Sequence, residues 1–266
     1  MAEQNTGKLN LLERTLPEGL LADAAWMERH GYSTSLRSQY VSAGWLVQPV
    51  RGTFKRPLGE LDWQKTIVSL QKMMGRRLAI GGRTALDMQG FSHYLQALGP
   101  DTIHLYGVEP PPGWLNKLPL EETFQFHRSS VLFKALGAAG DVLQAGTLRE
   151  LPGPSGWLLV ASTPERALLE LLDELPGGES FHQVDMLVEG LRTLSPRRLQ
   201  TLLANCGSVK VKRLFFWFAD RHKPAWLEHI NRAAISLGSG KRMLVKGGKL
   251  DPTYLITVPE DLGALV

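Results

Sequence analysis

The sequence predicts an α+β protein: a winged helix-turn-helix domain over residues 1–58, then a larger mixed α/β domain over residues 59–266. Three observations carry this reading. Two short helix patterns joined by a Gly31-Tyr32-Ser33 turn lead directly into two β-prone runs around Pro49-Val50-Arg51-Gly52. From Thr102 to Ser162 the apolar residues fall into short strand-like runs. From Ser162 onward they return to helical spacing behind capped starts.

In chain order, Lys8 to Leu16 reads as a helix with Leu9, Leu12 and Leu16 on one face, ended by Pro17-Glu18-Gly19. Ala22 to His30 reads as a second, with Ala24, Ala25 and Met27 as packing positions. Ser33 or Thr34 caps the third, Thr34 to Ala43, in which Leu36, Tyr40 and Val41 are the apolar set and Gly44 the stop. Leu46 to Gln48 and Thr53 to Lys55 then form a hairpin. Pro57-Leu58-Gly59 marks the domain boundary. Asp62 caps a helix running to about Met74, with Ile67, Leu70 and Met74 at core spacing. Leu78 to Ile80 is a short apolar run, and Gly81-Gly82 makes a tight entry into a helix near Thr84. Strands follow at Ile103–Tyr106, Phe124–His127 and Trp157–Val160, with a weaker one over 142–148. Ser162-Thr163-Pro164-Glu165 supplies a cap, a first-position proline and a first-turn acid for a helix with Ala167, Leu168, Leu171, Leu172 and Leu175 on its apolar face. Further helices are expected over Phe181–Arg192, Pro196–Ala204 and Val209–Asp220. Two strands, Met243–Val245 and Tyr254–Val258, are expected in the tail.

A net charge of +4 is too small for a polybasic coat, so the distribution of charge decides. From Arg29 to Gly59 there is no Asp or Glu, while Arg29, Arg37, Arg51, Lys55 and Arg56 are basic. An acid-free basic module suits the dense negative charge of DNA. The residues expected to face DNA on the third helix are Thr34, Ser35, Arg37, Ser38, Gln39 and Tyr40. Among these, Arg37 suits guanine and Gln39 adenine. Arg51, Lys55 and Arg56 are expected on phosphates. A second bias lies between Val209 and Leu250: ten bases, including Lys210, Lys212, Arg213, Lys241, Arg242, Lys246 and Lys249, against Asp220 and Glu228 alone. It reads as a solvated face or as a second contact surface.

Chemical motifs are mostly excluded. Cys206 is the only cysteine, and the seven histidines show no metal-ligand spacing. Gly238-Ser239-Gly240-Lys241 lacks the upstream glycine and the following Ser or Thr of a phosphate loop. Gly81-Gly82 is followed at short range by Asp87 alone, where metal-dependent phosphoryl transfer needs paired carboxylates. His104 and His127 read as strand-face residues without partners. No enzyme activity, cofactor or metal is expected. Neither a signal peptide nor a membrane span is visible, so a cytoplasmic protein is expected.

Four segments together resemble the AbiEi-type antitoxins of bacterial type IV toxin–antitoxin systems. They are the winged helix ending in Val50-Arg51-Gly52, the run Ala79-Ile80-Gly81-Gly82-Arg83-Thr84-Ala85-Leu86, the helix start from Ser162 to Glu170, and the tail from Gly238 to Gly248. The resemblance carries over no agreed set of catalytic residues, and a monomer in solution is expected. Its first domain would repress its own operon at inverted repeats in double-stranded operator DNA. Its second would be an antitoxin domain that neutralises a cognate nucleotidyltransferase-like toxin, with or without a stable complex. The competing reading is a winged-helix regulator whose larger domain senses a ligand.

Overall fold

The structure, a computed structural model, describes residues 2–91, 101–133 and 146–262. Helix α1 (Ala2–Thr15) turns Leu12 inward, and Leu16 just beyond it is also buried. A two-residue strand, β1 (Ala22–Asp23), comes next, and the Asp23 carboxylate caps α2 (Ala24–Arg29) by accepting from Trp26 N at 2.7 Å. The start expected for this helix is thus a strand plus a cap. Ser33 caps α3 (Thr34–Ser42), and Gly31 and Gly44 take positive φ where the chain leaves α2 and α3. Val47 then pairs antiparallel with Lys55, and β2 (Thr53–Phe54) pairs with β1. Helix, strand, helix, turn, helix and hairpin is the element order of a winged helix-turn-helix, with α3 in the second-helix position.

Asp62 caps α4 (Trp63–Val68), accepting from Lys65 N at 2.7 Å, and the helix widens into a π turn over Ser69–Met73. This helix joins the two halves of the molecule. On one side the Ser69 hydroxyl accepts from the buried Leu21 N at 2.8 Å. On the other, the Gln71 carboxamide donates to Leu78 O and Val160 O and accepts from Val160 N, at 2.9, 3.0 and 2.9 Å.

The larger part continues with β3 (Leu78–Ile80), α5 (Gly82–Met88), β4 (Thr102–Gly107), β5 (Thr123–Arg128), the single turn α6 (Ser129–Leu132), β6 (Leu148–Pro152) and β7 (Leu158–Ser162). These strands form one mixed sheet in the order β5-β4-β3-β7-β6. β3 runs antiparallel to β4 and parallel to β7, β4 runs parallel to β5, and β6–β7 is a hairpin. The β3–β7 junction pairs only Ile80 with Ala161, and Gln71 fills the next position with its side chain. Of the weak strand expected over 142–148, residues 142–145 lie outside the described residues; β6 begins at Leu148.

Helices α7 (Pro164–Asp173), α8 (Phe181–Gly190), α9 (Pro196–Asn205) and α10 (Val209–His222) follow. Pro164 starts α7 as its spacing predicts, but the Thr163 hydroxyl makes no capping bond. α10 is buried through Ala219, with Phe215, Phe216, Trp217 and Phe218 inside, so it is the central helix of this half. In the tail, β8 (Lys249–Asp251) pairs antiparallel with β9 (Ile256–Val258). The strand expected at Met243–Val245 is absent, because the Thr257 hydroxyl takes the amides of Leu244 and Val245 at 2.8 and 2.9 Å. Buried apolar residues run as one core from Leu12 to Leu262, across the boundary expected at 57–59.

Candidate nucleic-acid interface

Helix α3 divides its polar residues between two faces. Thr34, Ser35, Ser38 and Gln39 are exposed, at i, i+1, i+4 and i+5. Arg37 and Tyr40 are buried, at 7% and 4% exposure. Arg37 donates to Ala24 O and to Thr34 Oγ1, both at 2.7 Å, and its guanidinium lies 5.7 Å from the Phe54 ring centre. It therefore ties α2, α3 and β2 together, and the expectation that it reads a base is corrected: its guanidinium is buried and bonded inside the module rather than turned outward. Tyr40 likewise belongs to the core, its ring 6.4 Å from that of Tyr32.

The wing cations divide in the same way. Lys55 donates to Gly59 O at 2.9 Å and to the carbonyls of Arg56 and Pro57, closing the chain segment after the wing. Arg56 is paired with Glu18 at 3.0 Å and approaches Glu13. Neither is left free for phosphate, in contrast to the sequence expectation. Arg51, at the wing turn, is exposed and has no side-chain partner among the described residues. Trp45 and Val47 are exposed beside it in sequence, at 49% and 40%.

On the carboxy-terminal side, Lys210 is paired with Asp173 and donates to Leu175 O at 3.0 Å. Lys212 is buried. Arg213, 2% exposed, donates to Leu237 O at 2.8 Å, Gly240 O at 2.7 Å and Leu255 O at 3.4 Å. Lys210 and Arg213 hold α10 to its surroundings, Lys212 is covered, and none of the three lies open as a contact surface. Lys241, Arg242, Lys246 and Lys249 are exposed, without side-chain hydrogen bonds or ion pairs among the described residues. Met243 among them is 75% exposed.

Two segments singled out in the sequence meet in the interior. The Glu170 carboxylate, fully buried in α7, accepts from Gly82 N at 3.0 Å and from Arg166 Nε at 2.7 Å. A Cβ at Gly81 would fall on Glu170 Oε2 and the Tyr106 ring, which is why that position has no side chain. The positive end of α5 is thus already satisfied by an internal carboxylate. A family model described as transcriptional regulator, AbiEi antitoxin N-terminal domain matches residues 5–97, and one described as transcriptional regulator, AbiEi antitoxin, Type IV TA system matches residues 101–259. The chain belongs to the AbiEi family.

None of the curated proteins matches this AbiEi chain. Its fold is similar to the crystal structure of RV2827C protein from Mycobacterium tuberculosis, with a TM-score of 0.54 over 93% of this chain and 88% of that one, at 15% identity. The amino-terminal family match takes in α4, β3 and α5, although β3 sits at the centre of the larger sheet.

The AbiEi sheet also carries a cluster that sequence reasoning missed. His104 Nδ1 lies 2.9 Å from His127 Nε2, and His127 Nδ1 lies 3.0 Å from Glu174 Oε1. Burial, followed by the charges of His127 and Arg83, pushes His104 down to about 4 despite Glu174. For Glu174, burial alone would raise the carboxyl; the bond to and charge of His127, with His104 and Lys210, hold it below the usual range. Strand alternation could have put both histidines on one face, but the β4–β5 register that joins them is not written in either strand alone.

Proposed function

We propose that this AbiEi protein represses its own operon by binding inverted repeats in double-stranded operator DNA as a cytoplasmic monomer. The exposed polar face of α3 would read the major groove. The division of labour falls near residues 57–59. The remainder of the chain is the antitoxin domain that antagonises a cognate nucleotidyltransferase-like toxin, and its role is regulatory rather than catalytic.

One observation carries the DNA part: Thr34, Ser35, Ser38 and Gln39 form an exposed, hydrogen-bonding face on a module that has no acid from Arg29 to Gly59. Gln39 has the side chain for bidentate contact with adenine, and the wing turn offers Arg51 to a phosphate. Lys241, Arg242, Lys246 and Lys249 supply a second phosphate contact. The toxin part rests on the family.

A mobility shift with the protein's own promoter tests the first part, and co-expression with a nucleotidyltransferase-like toxin tests the second. Specific retention abolished by substitutions on the exposed face of α3, with the fold intact by circular dichroism, is the expected result. Equal retention of promoter and random DNA would sink the operator reading. Failure of the intact protein to protect cells from the toxin would sink the antitoxin reading.

A further inference from the structure

His104, His127 and Glu174 carry an inference independent of DNA binding. They come from three elements. Tyr106 pairs with His127 across the parallel β4–β5 register, and His104 lies two residues before Tyr106, so both imidazoles stand on one face of the sheet. α7 brings Glu174, its C-cap residue, to the same place. Lys210 fixes that helix end by donating to the carbonyls of Asp173 and Leu175, on either side of Glu174. The His127 ring is further held against Tyr106, with centres 4.6 Å apart and planes within 15°. Each of the three residues offers one ligand atom, and these atoms lie within 4.8 Å of one another.

The geometry points to a binding site for one divalent ion of the zinc class, ligated by His104, His127 and Glu174. Two imidazole nitrogens and one carboxylate oxygen are the donors that zinc and its late first-row neighbours take, whereas magnesium and calcium require oxygen sets. Bonds of about 2.0–2.2 Å in a tetrahedron spread the donors to about 3.3–3.5 Å from one another. The facing nitrogens of His104 and His127, 2.9 Å apart, share a single proton. An ion takes that proton's place once the two rings part by about half an ångström. The Glu174 carboxylate, 3.0 Å from the other nitrogen of His127, then swings from the ring to the ion. Side-chain exposures of 15% for His127 and 14% for Glu174 leave the ion a way in. Three protein donors leave one tetrahedral position for water or for an outside ligand.

The test uses the full chain, stripped with chelator, dialysed against micromolar zinc and assayed for metal per chain and for thermal midpoint. One zinc per chain with a raised midpoint is expected, since an ion held only by the folded state stabilises it. The double variant His104→Ala/His127→Ala should lose both signals, and Glu174→Gln should bind at least about tenfold more weakly. Should the double variant fail to fold, His127→Gln keeps the volume and a hydrogen-bonding group and gives the same readout. Absence of zinc from the wild type overturns the site. So does zinc retained by the variants, which would place the ion elsewhere, as at His182 beside Asp261 or His222 beside Asp185.

Discussion

The amino-terminal module and the stretch from α10 to the tail carry similar basic signatures in sequence, but the fold spends them differently. In the module, Arg37, Lys55 and Arg56 are bound to carbonyls, a hydroxyl and carboxylates, leaving Arg51 as the exposed wing cation and an uncharged face on α3. In the carboxy-terminal stretch the bases split by position. Lys210 and Arg213 on α10 are internal ties, and the four in the tail remain in solvent. The lesson is that a base folded over neighbouring chain, whether on α3, on α10 or after the wing like Lys55, is recruited by nearby carbonyls, while the four in the tail are not. Charge density along the chain therefore overstates a contact surface wherever the bases fold back onto the chain's own carbonyls and carboxylates.

The largest effect that would break this comparison is on stability. Arg213→Ala leaves the carbonyls of Leu237 and Gly240 without their side-chain donor, while Leu255 O keeps the Arg242 amide, and should cost about 3 kcal/mol in urea unfolding. Arg37→Ala removes two such bonds and the contact over Phe54, for about 2–3 kcal/mol. A stable Arg37→Ala protein that had lost operator binding would restore the base-reading role and overturn the division of α3.

Gln39→Ala sharpens the other side of the division. It should weaken operator binding by about 1–3 kcal/mol in a titrated mobility shift, with unfolding unchanged. Arg51→Ala should weaken binding to every DNA sequence alike and lower the salt slope by about one. Reversing charge at Lys241, Arg242, Lys246 and Lys249 together should lower that slope further; an unchanged slope would return the tail to the status of a solvated face. Smallest is an acid-limb effect at Asp185. Burial alone would raise its carboxyl, but His222 and Arg221 outweigh it and hold it below its ordinary value. Its contribution is complete above pH about 4 and is lost as pH falls through the lower folded value. Asp185→Asn should thus flatten the fall in melting temperature below pH 4, measured by calorimetry.

Much of the architecture was legible. The turn at Gly31, the caps Ser33 and Asp62, the proline at Pro164 and the apolar faces of α7 to α10 are local signals, and the structure has helices at each. Long-range pairing was not legible. β1 hides at a helix start because Phe54 and Thr53 supply its partner, and no strand forms at Met243–Val245, where Thr257 captures two amides. The site residues followed the same rule. Spacing could place Ser38 and Gln39 on a polar face, but not reveal that Ala24 O would claim Arg37 or that His104 would face His127.

Gln71 has a consequence for how the two halves communicate. Its carboxamide stands in for a peptide unit between β3 and β7, while two residues earlier Ser69 anchors Leu21. The amide proton of the half-buried Val160 on β7 is therefore shielded by a side chain whose helix is seated against the amino-terminal module. Anything that lifts this helix exposes that proton to deuterium before the strands themselves separate. Exchange at a single amide in the middle of the larger domain thus becomes a clock for docking of the smaller one.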